Sequence, residues 1–190
     1  MNQFQIQNAL FYHLVRKGFQ LSCPNYTPLA WWECDVFAVT EAGCFVEFEI
    51  KTSRADYLKD AKKADRPGKP TKHECLAMRD HHGPGRFFFV VPKGLVKPEE
   101  IPEWAGFIEI DSLQFRVVKE APFLHKVKVS EKRMEHVRGV FYWRFWNLRR
   151  GYKPDDCGQP ADKADEANPG ASDNPLETLV SPSGFEPETL

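Results

Sequence analysis

The chain has 190 residues, 42% of them apolar and 13% aromatic, enough to bury one sizeable core. Its formal charge of -1 conceals an asymmetry: residues 1–152 carry 24 Lys and Arg against 18 Asp and Glu, a net +6, whereas residues 153–190 carry 2 against 9, a net -7. No apolar run reaches the roughly 18 residues of a membrane span, the polar start Met1-Asn2-Gln3 lacks the pattern of a secretory signal, and the five cysteines are dispersed without a C-x-x-C pair. These features argue against a membrane protein, a disulfide scaffold and a zinc knuckle, and lead to the expectation of a cytoplasmic protein.

Gln3 to Lys17 puts Phe4, Ile6, Ala9, Leu10, His13 and Leu14 at helical spacing, and Gly18 is a natural stop. Pro24 and Pro28 predict a loop in the next stretch. Glu33 to Thr40 and Cys44 to Lys51 then alternate as strands do and, with Glu41-Ala42-Gly43 between them, predict a β-hairpin. Ser53 can cap a helix from Arg54 to about Ala64, and beyond the Pro67-Gly68-Lys69-Pro70 break a second helical stretch is expected from Thr71 to Met78. Arg86 to Val91 is a nearly continuous apolar run, the pattern of a central strand covered on both faces. Two further strands, about Gly106 to Ile110 and Phe115 to Lys119, meet at Asp111-Ser112. A helix from about Ser130 to Arg150 comes last, its aromatic cluster read as core and its Arg144, Arg149 and Arg150 as peripheral phosphate contacts. The expected class is α/β, a mixed sheet flanked by helices, in one domain over residues 1–152 with a disordered acidic tail over 153–190.

The chemistry concentrates in Glu33-Cys34-Asp35-Val36-Phe37 and Phe45-Val46-Glu47-Phe48-Glu49-Ile50-Lys51. Strand alternation sends Glu47, Glu49 and Lys51 to one face and Val46, Phe48 and Ile50 to the other. Pairing of the two runs brings Asp35 beside Glu49. Two carboxylates at the end of an apolar hairpin repel each other and lose solvation, which a divalent cation offsets; oxygen ligands suit Mg²⁺ or Mn²⁺. Lys51 can then orient or help deprotonate a water and stabilise charge on a phosphate. The same three charges also fit the wet face of an edge strand, where ion pairs contribute little. Lys51 to Lys72 holds eight Lys and Arg against Asp56, Asp60 and Asp65, a cationic wall suited to positioning phosphates or, alternatively, a solvated helix face. His81-His82, in a Gly/Pro loop, reads as an exposed turn.

An Asp at the start of a hairpin, thirteen intervening residues and then Glu49-Ile50-Lys51 resembles the core of the PD-(D/E)XK nuclease superfamily. The continuation through Thr52-Ser53-Arg54-Ala55-Asp56-Tyr57-Leu58-Lys59-Asp60, then Lys72-His73, then Arg86-Phe87-Phe88-Phe89-Val90-Val91-Pro92, is similar to the MmcB-like DNA-repair branch and its phage relatives, over roughly residues 5–120. The resemblance implies a restriction-endonuclease-like α/β/α core and Mg²⁺- or Mn²⁺-dependent hydrolysis of DNA in repair or phage DNA processing. It implies Asp35, Glu49 and Lys51 as the catalytic triad, and the two carboxylates with the Ile50 carbonyl as metal shell. Arg54, Lys62, Lys63, Lys72 and His73 are the expected nucleic-acid contacts, and Glu47 a supporting carboxylate. The chain departs from the family at Cys34, where Pro is usual, and in the first helix, which offers Gln3, Gln5 and Gln7 where many members offer an acid; this favours one-metal over two-metal chemistry. A catalytically inactive nucleic-acid-binding module of the same fold is the rival expectation.

Overall fold

The computed structural model describes residues 1–60 and 70–151. Helix α1 (Gln3–Arg16) starts at Asn2, whose side chain accepts the Gln5 N–H while the Gln5 side chain accepts the Asn2 N–H. The chain turns away at Gly18, where φ is 76° and a side chain would be strained.

Six strands form one mixed sheet in chain order: β1 (Leu21–Tyr26), β2 (Cys34–Val39), β3 (Phe45–Ile50), β4 (Arg86–Pro92), β5 (Gly106–Asp111) and β6 (Gln114–Lys119). The pairs β1/β2, β2/β3 and β5/β6 are antiparallel, whereas β3, β4 and β5 run parallel. The expected hairpin is β2–β3, closed by the Gly43 N–H on the Thr40 carbonyl at 2.9 Å. Strand β4 lies inside the sheet with both faces buried, as its apolar run predicts. The expectation of loop around Pro24 is corrected: this stretch is β1. Proline removes a ladder donor, which a sheet edge tolerates, and β1 is an edge.

Between β3 and β4 lie α2 (Arg54–Asp60), with Ser53 Oγ accepting the Asp56 N–H, and α3 (Lys72–Ala77), opened by a Thr71–Glu74 capping box. The stretch expected to carry the first of these helices on to Ala64 lies outside the described residues. A short 3₁₀ turn (Pro98–Glu100) precedes β5, and α4 (Glu131–Arg149) comes after β6.

The sheet separates two cores. On one face Ile6, Leu10 and Leu14 of α1, spaced four apart, cover Val36, Ala38, Val46, Phe48, Ile50, Phe88 and Val90. On the other, Tyr57 of α2 and Cys75 and Leu76 of α3 pack with Phe37, Phe45, Phe87, Phe89 and Phe107. The fold is therefore α/β, a mixed sheet with helices on both faces and a helix after the last strand.

The chain divides into two units, Met1–Tyr142, which holds the sheet, and Trp143–Leu190, of which residues up to 151 are described. The expected acidic tail lies outside the described residues. The aromatic cluster of α4 is not core: Phe141, Tyr142, Trp143, Phe145 and Trp146 are 37–60% exposed, and Val137 is the helix's buried residue. At about 3.6 residues per turn they spread over roughly 200° of the helix surface, wider than one core-facing stripe, so no single face could bury them together.

Candidate active site

The apolar and charged faces of β3 separate as alternation requires, but the charged face is not wet. Glu47, Glu49 and Lys51 are 0%, 8% and 6% exposed, because β3 lies inside the sheet and α2 and α3 cover this face. The edge-strand alternative is thereby excluded.

The register Val36↔Phe48, carried one step further, sets Asp35 opposite Glu49. At Asp35 the alternation of β2 reverses, since Cys34 belongs to one core and Val36, two residues on, to the other. Beside it in β1, Asn25 adopts a left-handed φ of 46°. The reversal leaves the Asp35 carboxylate at the end of the sheet, bonded by Gln3 of α1 and acted on by the charge of Glu49. Its Oδ2 accepts the Ile50 N–H at 2.7 Å and its Oδ1 accepts from Gln3 Nε2 at 2.9 Å. Gln7 Nε2 donates to the Asp35 carbonyl at 2.9 Å and to Asn25 Oδ1 at 2.8 Å. The first helix thus contributes neutral amides where the family resemblance sets an acid.

A chain of alternating donors and acceptors runs past Glu49. Trp31 Nε1 donates to Glu47 Oε2 at 2.9 Å. Lys72 Nζ lies 2.5 Å from Glu47 Oε1 and 2.8 Å from Glu49 Oε2, and it also reaches the Glu33 carbonyl at 3.3 Å. Lys51 Nζ donates to Glu49 Oε1 at 2.7 Å and Asp60 Oδ1 at 2.8 Å, and His73 Nε2 meets Asp60 Oδ2 at 2.8 Å. The Lys72–Glu47 pair is a close ionic contact off the hydrogen-bonding direction, so Glu47 Oε1 gains charge compensation without a directed donor.

Asp35 stands outside this chain: both its donors are neutral, and among the described residues no cation pairs with it. Burial first, then the charge of Glu49, pushes its pKa up to about 7, against the pull of the Ile50 N–H and the two lysines. Burial also raises Glu47, more than Lys72 lowers it. For Glu49 burial acts upward too, but Lys72 and Lys51 outweigh it and hold the carboxyl below its ordinary value. Burial would depress both lysines, yet the surrounding carboxylates raise them above the normal range. Lys51 in this setting is a fixed ammonium, a donor and a charge; the role of proton acceptor does not suit it.

The structure brings Asp35, Glu49 and Lys51 together and adds Glu47, Lys72, Asp60 and His73 to them. Of the expected phosphate contacts in the described part, Arg54 stays about half exposed, whereas Lys72 and His73 turn into the carboxylate cluster. Lys72 is buried among carboxylates, His73 is bound to Asp60 and packs edge-on to Phe89 and Trp104, and Arg54 forms a two-pronged pair with Glu100. Lys62 and Lys63 lie outside the described residues. Asp60 and Trp31 were not singled out by the sequence: Asp60 reads there as one acid diluting a basic run, and Trp31 as an ordinary aromatic.

Depressions among the described residues include two away from Asp35. One, of about 400 Å³, is lined by Lys17, Phe19 and Thr40 to Ala42 at the turn end of the hairpin, away from the carboxylates. Another, of about 230 Å³, lies against Tyr57, His73, Phe89 and Glu100. Among the described residues Asp80, His81 and His82 bring ligand atoms within 4.8 Å, but Asp80 Oδ1 is taken by the His82 N–H and Nδ1, and the group is the turn expected there.

No described helix is long and apolar enough to cross a membrane. No family model and no curated protein matches the chain. A solved structure does: the SPO1766 protein of unknown function from Silicibacter pomeroyi is similar at a TM-score of 0.58 over 78% of this chain and 92% of its own, with 22% sequence identity. At that identity the likeness is one of fold.

Proposed function

We propose that this protein is a cytoplasmic Mg²⁺- or Mn²⁺-dependent nuclease of the PD-(D/E)XK type that hydrolyses DNA phosphodiester bonds in repair or phage DNA processing. One observation carries the reading: Asp35 lies beside Glu49 without a cationic partner among the described residues. In the cluster as a whole four carboxylates (Asp35, Glu47, Glu49, Asp60) face two ammonium groups (Lys51, Lys72), leaving two negative charges when all are ionised. One divalent cation balances that deficit, and an all-oxygen donor set suits Mg²⁺ or Mn²⁺.

Asp35, Glu49 and the Ile50 carbonyl would hold the ion. When bound, it supplies a Lewis acid towards phosphate and a means of activating water. Gln3 and the Ile50 N–H fix the Asp35 carboxylate, each through one oxygen, and leave it further lone pairs for a ligand. Lys51, fixed by Glu49 and Asp60, stabilises negative charge growing on a phosphate oxygen.

The test is cleavage of labelled single-stranded, duplex and branched DNA with Mg²⁺, Mn²⁺ or EDTA, comparing the parent with Glu49→Ala and Lys51→Ala. Metal-dependent cutting lost in both variants supports the nuclease. A second reading, the inactive binding module, is favoured by the ammonium group already on each Glu49 oxygen. It predicts salt-sensitive DNA binding without cutting, and absence of both activities overturns both readings.

A further inference from the structure

Glu49 is the shared middle of two bridges. Lys51 spans Glu49 and Asp60, and Lys72 spans Glu49 and Glu47. A cation entering between Asp35 and Glu49 meets an ammonium on either Glu49 oxygen, and one of them must give way.

The two lysines are not equally held. Lys51 extends from the end of β3, its backbone N–H tied to the Val90 carbonyl at 3.1 Å, and it serves Asp60 as well. Lys72 reaches in from α3, of which it is the first residue. It also has somewhere to go. Glu47, fully buried and held by Trp31, lies 2.5 Å from its ammonium, the Glu33 carbonyl is 3.3 Å away, and the Phe87 ring centroid is at 5.6 Å. Leaving Glu49 Oε2 would cost Lys72 that contact alone and keep these three.

We infer that Lys72 is the resident counter-ion of the metal site, occupying Glu49 in the metal-free protein and retreating to Glu47 and Phe87 when a divalent cation binds. This deepens the nuclease reading and rests on it. Lys72 is a positioning residue in this scheme: it keeps the site assembled while empty and weakens its hold on the metal. The Trp31–Glu47 pair is the berth that receives it.

The experiment titrates the full-length protein with Mn²⁺ alone, followed by calorimetry and by the paramagnetic signal of free Mn²⁺. Lys72→Met and Lys72→Gln are expected to bind Mn²⁺ on the order of tenfold more tightly than the parent, because a like charge has been removed from the site. Lys72→Arg should stay near the parent value. Damage to the fold lowers metal affinity, so a rise is a readout that a merely structural role does not produce. If the parent binds Mn²⁺ and the neutral variants bind it equally or more weakly, the inference is overturned and the nuclease reading stands. If no form binds Mn²⁺, both fall. Where the neutral variants fail to fold, the parent labelled with ¹⁵N at lysine side chains decides: Mg²⁺ should shift the Lys72 ammonium signal, and an unmoved signal overturns the inference.

Discussion

The two faces of β3 are buried to the same degree and behave as opposites. Val46, Phe48 and Ile50 meet α1 in a dry apolar layer, whereas Glu47, Glu49 and Lys51 are as deeply covered by α2 and α3 but remain charged. The apolar face stabilises the fold through area removed from water. The charged face carries desolvation costs that its ion pairs outweigh at Glu49 and Lys51 but not at Glu47, and buried ion pairs are weak stabilisers compared with apolar packing of equal volume. Charge kept in such a place is what the proposed metal site calls for.

The contrast can be broken most severely at Asp35. Asp35→Asn is expected to lower metal-dependent cleavage by about 10³-fold or more, while the melting temperature in EDTA stays level or rises, because an uncompensated charge has gone. A drop in both would make Asp35 a structural residue. On the apolar face Phe48→Ala should do the reverse, costing about 3–5 kcal/mol of stability in chemical denaturation. Any of the folded fraction should bind Mn²⁺ as the parent does.

Acidity sharpens the comparison. A carboxyl raised to about 7 in the folded chain and ordinary in the unfolded one favours folding least when both are ionised. Stability in EDTA should therefore fall between about pH 4 and pH 7, by up to about 4 kcal/mol from this group, and level off above. Asp35→Asn should flatten that slope, and Mg²⁺ should raise the melting temperature more at pH 8 than at pH 5.5. Asp60, where His73 and Lys51 overcome burial to hold the pKa down, acts oppositely, and its contribution is lost only as pH falls below about 4. The smallest effect belongs to Gly83, where a Cβ would lie 2.5 Å from the Trp31 ring. Gly83→Ala should cost about 1–3 kcal/mol and change Trp31 fluorescence; changed fluorescence at unchanged stability would mean that the ring moves aside freely.

The β2–β3 hairpin, the opposed faces of β3, the approach of Asp35 to Glu49 and the interior position of β4 were all legible, because a period of two and a tight turn are local properties. β1 was hidden by its own Pro24, which an edge strand accepts and a loop equally explains. Lys72 was legible as a member of a basic run and of the Lys72-His73 motif, and so as a nucleic-acid contact, since nothing in its neighbours reveals that α3 carries it back onto β3. Asp60 was missed for the same reason. The aromatic cluster of α4 misled because residue type was taken for burial; its exposure depends on what faces the helix.

A β-sheet ordinarily insulates the layers it separates. Here the reversal at Asp35 opens a passage through the end of that partition, because Gln3 of α1 grips an oxygen of the very carboxylate that faces Glu49. One carboxylate is thus shared by the two layers, which ties the first turn of α1 on one side of the sheet to the charged cluster on the other.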